Sequence, residues 1–165
     1  MYLARMIEPS LYVKMSIDAW NGQMKATNSL LEKISDEQLM QEVAPGRNRG
    51  IYLLGHLTVV HDLMLPLLRF GPAMYPELKP IFLDAPDKTV ADIPSAAVLR
   101  DQWKKVNGEL AKHFAALKPE EWFERHNSVS EEDFAKEPHR NRLNVILSRT
   151  NHLGYHRGQL VLLNL

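Results

Sequence analysis

Two histidines near the C-terminus, His152 and His156, have the spacing of a pair of metal ligands. They lie in Asn151–Leu160 (NHLGYHRGQL), a segment that we predict to be helical. Helical side chains four residues apart lie on the same face, one turn apart, so both imidazoles can reach one ion. A pair does not complete a metal site, and a third ligand must come from elsewhere in the chain.

His56 is our candidate for the third ligand. It belongs to a helical row of apolar residues and should therefore point toward the core; the row comprises Leu53, Val60, Leu63 and Leu67. A single buried histidine is more often a hydrogen-bonded core residue. Burying His152 beside His156 costs desolvation twice, however, and a shared divalent ion offsets that cost. Three histidines with open coordination positions are typical of a catalytic centre, because structural zinc sites usually have a fourth protein ligand.

The residues near these histidines restrict the reactions that a bound metal could support. No carboxylate stands between His152 and His156, so the zincin motif with its glutamate base is absent. His61 lies about 140° around the helix from His56 and should not share its ion, and Asp62 should face away. This weakens metal-assisted hydrolysis, although a metal-bound hydroxide can act without a base. Activation of a thiol and polarisation of a substrate oxygen both remain open.

The composition is that of an ordinary globular protein. The 165 residues, which we expect to form one domain over 1–165, contain 20 Lys plus Arg, 20 Asp plus Glu and no cysteine. A net charge near zero argues against nucleic-acid binding, and the lack of cysteine excludes disulfides and thiolate ligands. We find neither a signal-peptide pattern nor an apolar window of membrane-spanning length, and therefore predict a cytoplasmic protein without a membrane partner.

Apolar periodicity predicts four long helices. They should cover Ser10 to about Ile34, Asn48 to Phe70 with Asn48 as the cap, Ser95 to Leu117, and Arg142 to about Asn164. Short helices are expected after Ser35, which begins a capping-box pattern, and after Pro119 and Ser130. The proline-rich stretch 71–94 is too long for a tight hairpin and allows the second and third helices to be parallel. The chain is therefore predicted to be an all-α four-helix bundle.

Several residues near the histidine pair have more than one reading. Arg157 and Gln159 flank His156 and could orient it or a substrate, or could form structural hydrogen bonds. Tyr155 could donate a proton near a metal, although a packing role is more common for a half-buried tyrosine. The apolar tail Leu160–Leu163 exceeds what one bundle face requires and suggests a partner surface, in a homodimer.

Three elements of the chain together resemble the DinB-like (YfiT-like) metalloenzymes. They are Trp20, Gly55–Leu57 (GHL) and His152–Leu160 (HLGYHRGQL), and the likeness extends over residues 10–165. It implies an up-down-down-up bundle and a divalent ion, zinc or nickel, held by His56, His152 and His156. Known relatives include transferases and isomerases that use low-molecular-weight thiols such as bacillithiol or mycothiol.

The expected function is therefore a metal-dependent enzyme of the thiol-dependent transferase or hydrolase type, acting on a small molecule. The resemblance also implies a low-molecular-weight thiol as a second cofactor beside the metal ion. The alternative, from a different class, is a non-catalytic, stress-related helical binding module that acts through its dimer surface.

Overall fold

The computed structural model describes residues 8–164, which form helices and no β-strand. Residues 1–7, where we found no signal-peptide pattern, and residue 165 lie outside this range. The eight α-helices are α1 (Pro9–Leu31), α2 (Asp36–Leu39), α3 (Gly50–Asp62), α4 (Met64–Leu67), α5 (Lys79–Phe82), α6 (Ala96–Ala116), α7 (Glu131–Lys136) and α8 (Arg142–Leu160). Short 3-10 helices cover Pro76–Leu78, Pro119–Phe123 and Val161–Asn164.

Contacts between ends of the long helices fix their relative directions. Arg100, near the start of α6, donates to the carbonyl of Leu31 at the end of α1 (2.6 Å), whereas Phe114, near the end of α6, contacts Trp20 in the middle of α1. These two helices are therefore antiparallel.

The other directions follow in the same way. His61 pairs with Asn107, and farther along both segments Phe70 stacks on His113, so α3 and α6 are parallel. His56 faces His152, whereas Phe70 lies 5.9 Å from the guanidinium of Arg142, so α3 and α8 are antiparallel. The order is up-down-down-up, as the family resemblance implied.

The second helix differs most from its prediction. It begins at Gly50 with Arg49, and not Asn48, at the N-cap position. Asn48 belongs to the preceding turn, where its carbonyl accepts from the amide of Val43 (3.0 Å). The α-helix ends at Asp62 and is followed by the separate short helix α4. Pro66 explains the interruption, because it has no N–H to donate to the carbonyl of Asp62.

Every residue of α3 except Tyr52 and His56 is buried, which makes α3 the central helix of the bundle. Contrary to our sequence-based expectation, Gly50–Leu67 is long and apolar enough to cross a membrane. Of this segment, 72% is buried inside the protein, as in the core helix of a globular bundle.

The proline-rich connection is held against the bundle by Asp62. Its carboxylate accepts hydrogen bonds from the backbone amides of Met74 and Tyr75, both at 2.8 Å. Asp62 thus faces away from His56, as expected. The anchored chain then turns through α5, which packs against α3 beside the predicted metal site.

Candidate metal centre

The three predicted ligands lie together where α3 and α8 cross. The potential ligand atoms of His56, His152 and His156 all lie within 4.8 Å of one another. The Nε2 atom of His152 is 3.3 Å from Nε2 of His56 and 3.1 Å from Nε2 of His156. All three side chains are half-buried, so the cluster borders the protein surface.

Two of the rings are held by acceptors on their other nitrogen. Nδ1 of His56 donates to the backbone carbonyl of Phe82 at 2.9 Å, and Nδ1 of His156 donates to Oε1 of Gln159 at 2.7 Å. A neutral imidazole that donates from Nδ1 carries its lone pair on Nε2. Both lone pairs are therefore directed at the same place, next to Nε2 of His152.

This arrangement fits a bound divalent cation. Nε2 of His152 can donate one proton to one of its two neighbours, which leaves the second lone pair facing it without a partner. A cation satisfies all three nitrogens, and metal–nitrogen bonds of about 2.0–2.1 Å at tetrahedral angles separate the ligands by about 3.3–3.4 Å. The observed 3.1 and 3.3 Å are close to that spacing. Imidazole ligands suit several transition metals, among them zinc, copper, iron and nickel.

The electrostatic environment keeps the rings neutral and therefore able to bind a metal. Burial, together with smaller contributions from the neighbouring rings of His156 and His56, lowers the pKa of His152 to about 4. Burial also lowers the pKa values of His56 and His156. The positive charge of Arg149, which lies one turn before His152 on α8, contributes to the lowered pKa of both His56 and His152.

Gly55 and Phe82 together place the carbonyl that holds His56. The Phe82 ring is fully buried against α3 and occupies the space that a Cβ at Gly55 would need. Tyr52, one turn before His56, lies nearly parallel to its ring, and its hydroxyl donates to the carbonyl of Ala85 at 2.8 Å. The sequence pattern did not predict this role of the connection, and the only signal for it was the glycine beside His56.

The two residues that flank His156 have different roles, one orienting the histidine and the other forming a structural hydrogen bond. Gln159 orients His156 through the hydrogen bond described above, whereas Arg157 donates to Oε1 of Gln23 (3.1 Å) and joins α8 to α1. Tyr155 is 63% exposed. It packs edge-on against His156 with 5.0 Å between ring centroids, so its hydroxyl lies at the rim of the cluster.

The sequence profile of the DinB superfamily matches residues 19–160, which include all three histidines. The chain belongs to the DinB superfamily. A solved structure described as the conserved protein of locus from Enterococcus faecalis is similar over 90% of this chain and 96% of that one, with 13% sequence identity and a TM-score of 0.52. That likeness supports the fold alone. A search of curated proteins finds no match.

The other histidine of α3 in this DinB-superfamily chain, His61, does not join the cluster. It is completely buried between the rings of Trp20 and Trp103, at centroid distances of 4.9 and 4.8 Å. Nδ1 of His61 donates to Oδ1 of Asn107 at 2.7 Å. Burial lowers the pKa of His61 to about 3. This histidine is a neutral core residue, as the helical geometry predicted.

A cleft of about 520 Å³ lies on another side of the bundle, between α1 and α6. Trp20, Trp103 and Asn107 contribute to its walls, and none of the three clustered histidines does. The histidine cluster and this cleft are therefore separate features of the DinB-superfamily bundle.

Proposed function

We propose that this protein binds one divalent metal ion, zinc or nickel, through His56, His152 and His156 and acts on a small molecule. The reaction would be of the thiol-dependent transferase or hydrolase type, in the cytoplasm. The observation that supports the proposal is the convergence of three Nε2 atoms, two of them with lone pairs fixed by partners on Nδ1.

An ion at this position would supply Lewis acidity, lowering the pKa of a bound thiol or water or polarising a substrate oxygen. The side chains of this protein supply the orientation. Phe82 and Gln159 hold two of the imidazoles through Nδ1. Because the three histidines are half-buried, a small ligand would approach the cluster from the protein surface.

Two features favour a thiol over water as the activated group. The ligand group contains no Asp or Glu side chain that could take a proton from water. Arg149 adds a positive charge near His56 and His152, and a positive charge stabilises a thiolate. A low-molecular-weight thiol is therefore our preferred second cofactor.

The second candidate function is a non-catalytic, stress-related binding module that acts through a dimer surface. The separation of the α1/α6 cleft from the histidines favours it, because the cleft does not lead to the proposed ion. The two functions differ in one measurable property. Only the enzyme would show turnover of a small electrophile in the presence of a thiol and lose that turnover when the metal is removed.

The first experiment is elemental analysis of untagged protein purified without chelators. Wild-type protein should contain one equivalent of a divalent metal, and His56→Ala should contain none. His139→Ala, which changes an exposed histidine outside the cluster, is the matched control and should keep the full equivalent. Wild-type protein that remains metal-free after loading with excess zinc or nickel and dialysis would contradict the proposal.

A further inference from the structure

The solvent-facing side of α8 carries no charge. Its exposed side chains are all neutral, and the three arginines of the helix are buried or half-buried on the inner side. The exposed positions are Asn144, Leu147, Ser148, Asn151, Tyr155 and Gly158, followed by Val161 and Leu162 in the next turn. Charged residues make up 24% of the whole sequence, and the surface of a soluble protein usually carries at least that share. A neutral exposed face along an entire helix therefore requires a reason.

The neighbouring helix α1 continues this neutral surface. α1 packs beside α8, where Arg157 donates to Gln23. Its exposed residues on the side next to α8 are neutral as well: Leu11, Tyr12, Met15, Ala19 and Gly22. By helical geometry the charged residues Asp18 and Lys14 lie about 60° and about 100° around α1 from Met15, at the border of this neutral side, where they pair with each other. We call the neutral positions on both helices and the following turn the α1–α8 face.

Exposed apolar side chains are concentrated on this same face. Among the described residues, eleven large hydrophobic side chains are exposed, and seven of these belong to α1, α8 or the turn after α8. Met15 is 61% exposed and Leu147 is 45% exposed. The outer side of α6 shows the contrast, because Asp101, Lys104 and Lys105 are exposed there. Apolar exposure concentrated in one uncharged region marks an interaction surface.

We propose that the α1–α8 face is the interface of a homodimer. At 1.5 Å per residue the two helices are about 30 Å long, and side by side they present a surface about 20 Å wide. That makes about 600 Å² in projection, near the approximately 800 Å² per partner of a stable interface. A second copy fits best because a two-fold dimer brings each patch against itself, and a neutral patch does so without like-charge repulsion.

This interface differs from the partner surface that the sequence suggested. Of the tail Leu160–Leu163, the two end residues Leu160 and Leu163 are buried in the bundle, and only Val161 and Leu162 extend the exposed face. The proposed interface also reaches the histidine cluster, since Tyr155 belongs to the face and contacts His156. The partner copy therefore borders the cluster, whether or not a metal is bound.

Sedimentation equilibrium of the full chain tests the proposal. Wild-type protein should have twice the 18.9 kDa mass of one chain. Leu147→Glu and Met15→Glu should each raise the dimer dissociation constant at least about 100-fold, because each buries an unpaired carboxylate twice per dimer. Val98→Glu on α6, where the parent side chain is 46% exposed, is the matched control and should leave the dissociation constant unchanged.

Circular dichroism and thermal unfolding verify that the variants fold, since all three positions are exposed. Wild-type protein that is monomeric at the highest soluble concentration overturns the proposal, even if it captures another protein or a lipid vesicle through this face. A dimer that both glutamate variants leave intact overturns it as well. The metal content plays no part in this test, so its outcome is independent of the proposed function.

Discussion

His56 and His61 stand five residues apart on the same helix and have opposite roles. Nε2 of His56 points into a cluster of imidazoles at the surface, whereas His61 is enclosed by two tryptophan rings and hydrogen-bonded to Asn107. Both rings are kept neutral by burial. The difference is the direction of the free lone pair, which meets other lone pairs in one case and apolar surface in the other.

The comparison shows why a histidine alone does not indicate a metal site. Nδ1 of His61 donates to an amide oxygen, so its remaining lone pair is on Nε2, just as in His56. Nε2 of His61 is buried and has no partner among the described residues. Only His56 has two further imidazoles within reach, and these come from the i, i+4 pair on α8.

The largest expected effect is a loss of bound metal, which should follow from a change in the histidine cluster and not from a change at His61. His152→Ala should abolish stoichiometric metal binding, because two remaining imidazoles hold a divalent ion far more weakly than three. The loss should exceed by far the roughly 10–100-fold change in affinity that an outer-shell substitution causes. Titration with zinc and nickel followed by calorimetry measures it. His61→Gln should retain a full equivalent, and equal metal loss in both variants would remove the distinction between the sites.

The free energy of unfolding should show the opposite order, with a larger effect from His61 than from His56. His61→Ala should lower the free energy of unfolding of the metal-free protein by about 3 kcal/mol, because it opens a cavity between two tryptophans and removes the partner of the Asn107 oxygen. His56→Ala should cost less than about 1 kcal/mol, since the side chain is half-buried and its removal relieves the crowding of lone pairs. Urea unfolding in the presence of a chelator measures both changes. Equal losses would show that His56 is a core residue too.

Acid should act through His61 more than through any exposed histidine. Its folded-state pKa of about 3 is below the unfolded value of about 6.5. The unfolded chain therefore takes up the proton first, and stability is lost as the pH falls from about 6.5 toward 3 and is unaffected above 6.5. The charges that oppose protonation of His61 come from His152 and Arg149 on α8 and from His56 on α3.

At pH 5 this linkage should lower the free energy of unfolding by about 2 kcal/mol relative to pH 8. His61→Gln removes the titrating group, so the drop measured for wild-type protein should exceed that of the variant by the same amount. Urea titrations of both metal-free proteins at the two pH values provide the measurement. Identical pH dependence would mean that His61 is more hydrated than its complete burial indicates.

The sequence predicted those features that depend on local patterns of residues. The four long helices, the capping box at Ser35 and the pairing of His152 with His156 depend on spacings within one segment, which periodicity shows directly. The capping box is formed as predicted, with the Ser35 hydroxyl accepting from the amide of Gln38.

The parts that the sequence did not reveal depend on contacts across the chain. Asn48 was the predicted cap of the second helix, but the amide of Arg49 there donates to the carboxylate of Asp87, 38 residues away. The carbonyl of Phe82 holds His56, and a backbone carbonyl has no signature in the sequence. The partner of His61 lies 46 residues away on α6. Local pattern cannot predict such pairings, because they exist only after the chain has folded.

The smallest expected effect is on metal affinity and comes from Gln159, which accepts the hydrogen bond from Nδ1 of His156. Gln159→Leu should weaken metal binding about 10-fold, because His156 then loses the acceptor that fixes its tautomer and ring orientation. Gln159→Glu should bind at least as tightly as wild type, since a carboxylate accepts the same hydrogen bond and increases the basicity of the ring. Competition against a zinc chelator resolves both changes. Equal affinity in all three proteins would show that the α8 backbone alone orients His156, and His56, held by the carbonyl of Phe82, would then be the one imidazole of the cluster whose tautomer an outer partner fixes.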